Sequence, residues 1–466
     1  MRSLPLMLLV AAGLWGQSYD IVIANGRVMD PETSFDAVRN VGIRSGRIAA
    51  ISDSALQGTT VIDAKGLVVT AGFIDLHSHG QTPENYAFKA RDGVTTALEM
   101  EVGVNPVASW YAEREGHALI NFGATSGHIP ALKSVMHESG TGLLPRDAGV
   151  SSGPNAEQQK ETLRLIRQGL DEGALGIGLG IAYTPKVSRE DIFELFQLAS
   201  QRRIPVFVHM RHSGPVEPGA IDSLQEMLAD AASSGAAVHV VHITSMGFRQ
   251  TPILLSMIAG AHRRGIDITT EAYPYTAAMT DLGSALFEEG WQAHMGGIGY
   301  GDLQWVESGE RLNADTFARY RKQGGMVILH SIPEDVAKVA VANPDVMIAS
   351  DGSITNGKGH PRGAGTYARV LGRYVREQHA LPLMDALRKM SLLPAQRLGL
   401  QSKGRLQVGA EADITVFDPE RVIDRATFDH PAQYSEGIEH VLVGGVFVVR
   451  NEKIVEGVSP GRAIRR

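Results

Sequence analysis

No cysteine occurs among the 466 residues. That removes a disulfide framework, and a thiol for a lipid anchor, from consideration. Basic residues do not dominate either: 44 Lys and Arg stand against 51 Asp and Glu, a formal net charge of −7. With no basic stretch to hold a phosphate backbone, nucleic acid is not an expected partner. A hydrophobic run long enough to cross a membrane is also missing. The run inside "MRSLPLMLLVAAGLWG" extends only from Leu4 to Leu14, and a spanning helix needs roughly 20 residues. Arg2 ahead of that run, and small residues suited to cleavage near Gly16, make residues 1–16 a signal peptide rather than a buried N-terminal helix or strand. The expectation is a soluble protein that is secreted or exported to a bacterial periplasm.

What is present falls into two textures. Residues 17–70 and 402–466 are short alternating strands with turns, such as Asn25-Gly26 and Ser45-Gly46. The two ends are predicted to pair into one small β-sandwich domain. Between them, residues 71–401 carry apolar runs that end in polar residues and alternate with helix-like segments. The runs are "GFIDLHSHG", "TTALEMEVG", "ALINFGATSGH", "ALGIGLGIAYTP", "IPVFVHMRHSG", "AAVHVVHITS", "IDITTEAYPYT" and "VMIASDG". Buried strands alternating with helices define an α/β fold, a parallel (β/α)8 barrel of the TIM type. Another apolar run, "MVILHS" (326–331), leaves the strand count open. Residues from about 281 to 323 read as an insertion, a lid or pocket wall.

Barrel active sites lie at the carboxyl ends of the strands. Polar residues at those ends are His77 and His79, Glu99 and Glu101, His209, His242 and Asp351. Residues i and i+2 of a strand share a face, so His77 with His79 can serve one ion. Four histidines with carboxylates on one rim suit Zn²⁺ or a similar divalent cation, one or two ions.

The motifs "GFIDLHSHG" and "GRLQVGAEADITVFD" resemble the amidohydrolase superfamily. "FVHMRHSG", "EAYPYTAAMT", "SDGSITNGKGHPRGAGTYARVLGRYVRE" and "PAQRLGL" resemble its D-aminoacylase (N-acyl-D-amino-acid deacylase) branch. The resemblance implies His77, His79 and Asp351 at one metal position and His209 and His242 at the other. The family's bridging ligand on the second strand is a cysteine; here a glutamate stands in its place. Glu101, nearer the strand end, is the expected bridge, and Glu99 the expected partner of a metal-bound histidine or a backbone group. Asp351 is implied as general base and acid, taking a proton from the attacking water and giving it to the leaving amine. Arg362 and Tyr275 match positions that hold the substrate's carboxylate. Thr244 replaces a lysine with the same task. Arg211 is expected either to stand in for that lysine or to pair with Glu99 or Glu101. His128 matches a family histidine, and His330 and His360 are expected to be structural or at the surface.

The implied protein is a secreted metal-dependent amidohydrolase cleaving N-acyl amino acids, of D configuration by resemblance. Its partner is a small molecule with a free carboxylate. The alternatives are a dipeptidase or cyclic-amide hydrolase of the same superfamily, and a catalytically inactive periplasmic binding scaffold. The sequence does not give the oligomeric state.

Overall fold

The computed structural model describes residues 18–138 and 142–466; the expected signal peptide lies outside them. Eight parallel strands form the central sheet: β1 (Phe73–Asp75), β2 (Val94–Val104), β3 (Asn121–Gly127), β4 (Ile177–Gly180), β5 (Pro205–His209), β6 (Ala237–Val240), β7 (Ile268–Ala272) and β8 (Val346–Ile348). Each neighbours the next in sequence order. The seam between β8 and β1 closes through a bridge between Ser78 and Gly352. There the Asp351 amide donates to the His77 carbonyl at 2.7 Å, and the Ser350 amide to Asp75 at 2.9 Å. Nearly every strand residue is buried because one face fills the barrel and the other lies under helices. Those helices are apolar on one side and firmly started: Asn155 with Gln158 opens Ala156–Asp171, and Ser188 with Asp191 opens Arg189–Arg202, each as a capping box.

A separate nine-stranded sheet takes strands from both chain ends, as expected. Val68–Ala71 pairs antiparallel with Ile414–Phe417, which ties the amino-terminal half to the carboxyl-terminal half. Ile21, Val41, Ile43 and Val69 from one end pack with Leu406, Ile414, Val416 and Leu442 from the other. Strand Tyr19–Asp30 pairs along one edge first with Gly58–Asp63 and then with Val68–Ala71. A bulge between Ile23 and Gly26 marks the change of partner.

The insertion is broader than residues 281–323. Ala278–Asp281, Leu303–Trp305 and Met326–Leu329 form a three-stranded antiparallel sheet. The run "MVILHS" therefore supplies an insertion strand, not a barrel strand. The segment has a core of its own, in which Trp291 stacks on Phe317 at 5.4 Å and Trp305 on Tyr320 at 4.2 Å.

Candidate metal centre

Strand β2 does not run straight to its end. It pairs with β3 in register up to Glu99 opposite Ala124, then resumes only at Val104 opposite Ser126. The extra residues form a bulge, and Gly103 at φ +68° turns the chain where a β-carbon would lie 2.4 Å from the Thr125 hydroxyl. Bulges re-aim side chains, and this one carries Glu101 over the mouth of the barrel. Two opposing residues also sit in the left-handed region: His242 at φ +32° and Asp351 at φ +51°. Such conformations cost energy in residues with a β-carbon and collect at functional sites. Both side chains face Glu101's surroundings.

The two oxygens of Glu101 serve two groups. Oε2 lies 3.2 Å from His77 Nε2 and 3.1 Å from His79 Nε2. Asp351 Oδ1 is 3.4 Å from both of those nitrogens. Oε1 lies 2.7 Å from His209 Nδ1 and 3.1 Å from His242 Nε2. The donor atoms thus fall into two sets, His77, His79, Glu101 and Asp351 in one and Glu101, His209 and His242 in the other, each within 4.8 Å. Mixed imidazole and carboxylate sets of this kind fit zinc.

The electrostatics agree with that fit. Burial opposes charge on His77, but Asp351, Glu101 and Glu271 outweigh it and raise the ring to about 10. His79, buried beside Glu99, Asp351 and Glu101, is likewise raised. Burial would lift the Glu101 carboxyl, yet His77, His209 and His242 hold it well below the usual range. Asp351 is also held down, against burial, chiefly by Arg362 and His77. The carboxylates draw positive charge into this space, and a divalent cation meets that demand.

Glu99 lies 2.8 Å from His79 Nδ1. Two residues that sequence reasoning missed lie one layer deeper. Glu271 on β7 is 2.6 Å from His77 Nδ1 and 3.1 Å from His239 Nε2, and His239 Nδ1 is 2.7 Å from the Thr269 hydroxyl. Glu271 is held down to about 2: burial opposes this, and His77 and His239 prevail. An acid inside an apolar strand run was the available signal.

Arg362 is buried with Nη2 3.0 Å from Asp351 Oδ2. Its Nε and Nη1 are buried and have no hydrogen-bond partner. The structure places two of the expected substrate contacts away from the donor groups. Tyr275 does not face this space: its hydroxyl donates to the Pro361 carbonyl at 3.4 Å and its ring carries Arg369 at 4.6 Å. Tyr273 is the tyrosine under Arg362, 4.5 Å from the guanidinium carbon, with its hydroxyl buried and unpartnered. Arg211 pairs with neither Glu99 nor Glu101. It reaches Glu226 at 2.8 Å on helix Ala220–Ser234, because the chain has left the strand after His209.

Thr244 is fully buried with its hydroxyl unpaired, while the following Ser245 and Met246 line the cavity. His128 opens helix His128–Val135, with both ring nitrogens buried and unpartnered, and burial pushes it down to about 4. His330 rests 3.0 Å from the Gln304 side chain. His360 accepts from the Arg362 amide at 3.0 Å and sits 3.0 Å from the Ala277 carbonyl. Both are structural.

A cavity of about 250 Å³ opens from the donor groups toward the insertion. Its walls include Leu144, Tyr183, Met246, Phe248, Met279 and Met295, and no lysine or arginine among the described residues.

The whole chain can be set beside known proteins. A model of the amidohydrolase family matches residues 60–449. An N-acyl-D-glutamate deacylase of Alcaligenes xylosoxydans xylosoxydans is 31% identical, with 97% of each chain covered. A D-aminoacylase of the same organism is 30% identical over 97% of this chain and 98% of its own. Among solved structures, the N-acyl-D-glutamate deacylase of Bordetella bronchiseptica, complexed with zinc and a phosphonate inhibitor that mimics the tetrahedral intermediate, superposes with a TM-score of 0.83. It is 28% identical and covers 97% of this chain and 100% of its own. A D-aminoacylase with a binuclear metal centre gives 0.83 at 26% identity, covering 96% and 100%. With its barrel, its donor sets and this likeness along nearly its full length, the chain belongs to the amidohydrolase family and is a metal-dependent hydrolase of amide C–N bonds.

Proposed function

We propose that the protein is an exported deacylase that hydrolyses N-acyl-D-amino acids with apolar side chains. One observation carries the reading: the Glu101-centred donor groups open onto a cavity walled by apolar side chains, with the free edge of Arg362 beside Asp351. The relatives named for D-glutamate and for D-amino acids in general support the D configuration. The lack of a cationic wall among the described residues favours an apolar side chain over an acidic one. The N-terminal run Leu4–Leu14 supports export. Among the described residues no helix is long and apolar enough to cross a membrane.

A cation held by His77, His79, Glu101 and Asp351, or by Glu101, His209 and His242, would acidify a water and polarise the amide carbonyl. Asp351, kept ionised by Arg362 and His77, accepts a proton at its carboxylate and returns it to the leaving nitrogen, which departs poorly unless protonated. The unpartnered Nε–H and Nη1–H of Arg362, with the Tyr273 hydroxyl, bind the substrate's carboxylate. The apolar wall excludes water from the reacting groups.

The test is a panel of N-acetyl-D-leucine, N-acetyl-D-methionine, N-acetyl-D-glutamate, their L counterparts and L-dipeptides, assayed with zinc present. Turnover of the apolar D compounds is expected, with N-acetyl-D-glutamate at least about 10-fold slower because its side-chain charge loses hydration. Turnover of L-dipeptides alone would overturn the deacylase reading in favour of a dipeptidase.

A further inference from the structure

A second cavity, of about 370 Å³, opens at the amino end of the barrel and shares no lining residue with the one over the donor groups. It lies between the starts of β7 and β8, against helix Thr251–His262 and the later helix Leu393–Arg397. Small-molecule sites span roughly 300–1,000 Å³, so its size suits one. Leu255, Ile258, Met347 and Leu393 give it an apolar wall, and Arg388 and Arg397 line it as well. Arg397 is not a surface arginine. Its side chain is 4% exposed, and the carboxylate it pairs with, Asp267, is 62% exposed. Nη1 donates to Asp267, whereas Nε and Nη2 are buried without a hydrogen-bond partner. A carboxylate facing water is screened and offsets a buried cation only in part; burial accordingly pushes the Arg397 guanidinium down despite Asp267. Buried N–H groups are seldom left unpaired, so two on one guanidinium call for a partner. Nε and Nη2 share one edge of the group, and their parallel N–H bonds match the two oxygens of a carboxylate.

We propose that this cavity is a second ligand site, apart from the metal centre, for a small carboxylate with an apolar tail. The two oxygens pair with the Nε–Nη2 edge of Arg397, and the tail lies on Leu255, Ile258, Met347 and Leu393. Inorganic phosphate would suit the arginine but leave the apolar wall uncovered, and an alcohol would do the reverse. Two sources carry the required chemistry: a free carboxylic acid, and an α-amino acid whose ammonium meets Asp345 in the same cavity. The site does not rest on the deacylase reading, although both products of such a reaction belong to this class.

The test is a titration of the full chain with its methionine methyl groups labelled with ¹³C. Met347 reports this cavity, and Met246, Met279 and Met295 report the one over the donor groups. Hexanoate and D-leucine are expected to shift the Met347 signal saturably, and the tighter of the two names the source. Hexanol and inorganic phosphate, each with half of the chemistry, should bind at least about 10-fold more weakly. Arg397→Gln should weaken the tighter ligand at Met347 at least about 10-fold while leaving kcat/KM within about twofold. If that variant does not fold, Ala259→Phe, which fills the cavity from helix Thr251–His262, should exclude the ligand. The proposal is overturned if neither carboxylate moves Met347, or if only Met246, Met279 and Met295 respond. It is equally overturned if hexanol or phosphate binds as tightly, or if the variants bind like wild type. A chain without deacylase activity would leave the Met347 titration intact, so the two readings fail separately.

Discussion

Shortening Glu101 by one methylene tests the centre of the site directly. In Glu101→Asp the charge stays, but the carboxylate withdraws by about 1.5 Å, the length of one C–C bond. Its oxygens now lie 2.7–3.2 Å from four imidazole nitrogens; after withdrawal those gaps exceed about 4 Å, beyond any hydrogen bond. At an effective dielectric of 20, attraction between unit charges falls from about 5.5 kcal/mol at 3 Å to about 3.7 kcal/mol at 4.5 Å. The loss, about 2 kcal/mol per positive partner, corresponds to roughly 30-fold in affinity, before the direct ligand bond is counted. Metal content after dialysis, measured by atomic emission, is expected to fall below one ion per chain, and kcat/KM to drop by more than about 100-fold. The fold should persist, because the negative charge remains inside the cluster. Wild-type metal content and activity in Glu101→Asp, together with loss of both in Glu99→Asp, would refute the reasoning and move the shared carboxylate to Glu99.

Four further outcomes follow from individual contacts. Arg362→Lys should lower kcat/KM roughly 10- to 100-fold through loss of charge-assisted bonds; because Arg362 helps hold the Asp351 carboxyl down, the acid limb of the pH–rate profile should move to higher pH. Tyr273→Phe should reduce kcat/KM by up to about 10-fold with little change in melting temperature, since its hydroxyl has no partner to lose. Tyr275→Phe should leave kcat/KM within twofold, and equal losses in both variants would show that the two tyrosines were misassigned. Glu271 is held down to about 2 from an ordinary 4.5. Its contribution to the stability of the metal-free protein is therefore complete above pH 4.5 and lost as pH falls toward 2. Chemical denaturation across that window should show a shallower pH dependence for Glu271→Gln than for wild type, and parallel curves would contradict the assignment.

Much of this molecule was legible in its sequence, for a definite reason. Strands buried on both faces must be continuously apolar, so each barrel strand stood out as a run, and the polar residues closing those runs include His77, His79, Glu101, His209, His242 and Asp351, which the structure gathers into two sets able to hold a metal. Pairing of the chain ends was equally readable, because hairpin turns and alternation are local signals. Side-chain directions were not legible where a strand had already stopped. β5 ends at His209, so Arg211 no longer shares its face and turns to Glu226. β7 ends at Ala272, so the two tyrosines of Tyr273-Pro274-Tyr275 part company. β6 ends at Val240, and the left-handed turn at His242 brings it and His239, three residues apart, into the same interior. The bulge that aims Glu101, the Glu271 chain behind His77 and the insertion strand at 326–329 depend on pairing between distant segments. The amino-acid sequence by itself determined which residue types reach the barrel mouth, because burial and alternation act along the chain. Only tertiary structure decided which of them meet, because register, strand ends and the partners on neighbouring strands are set across it.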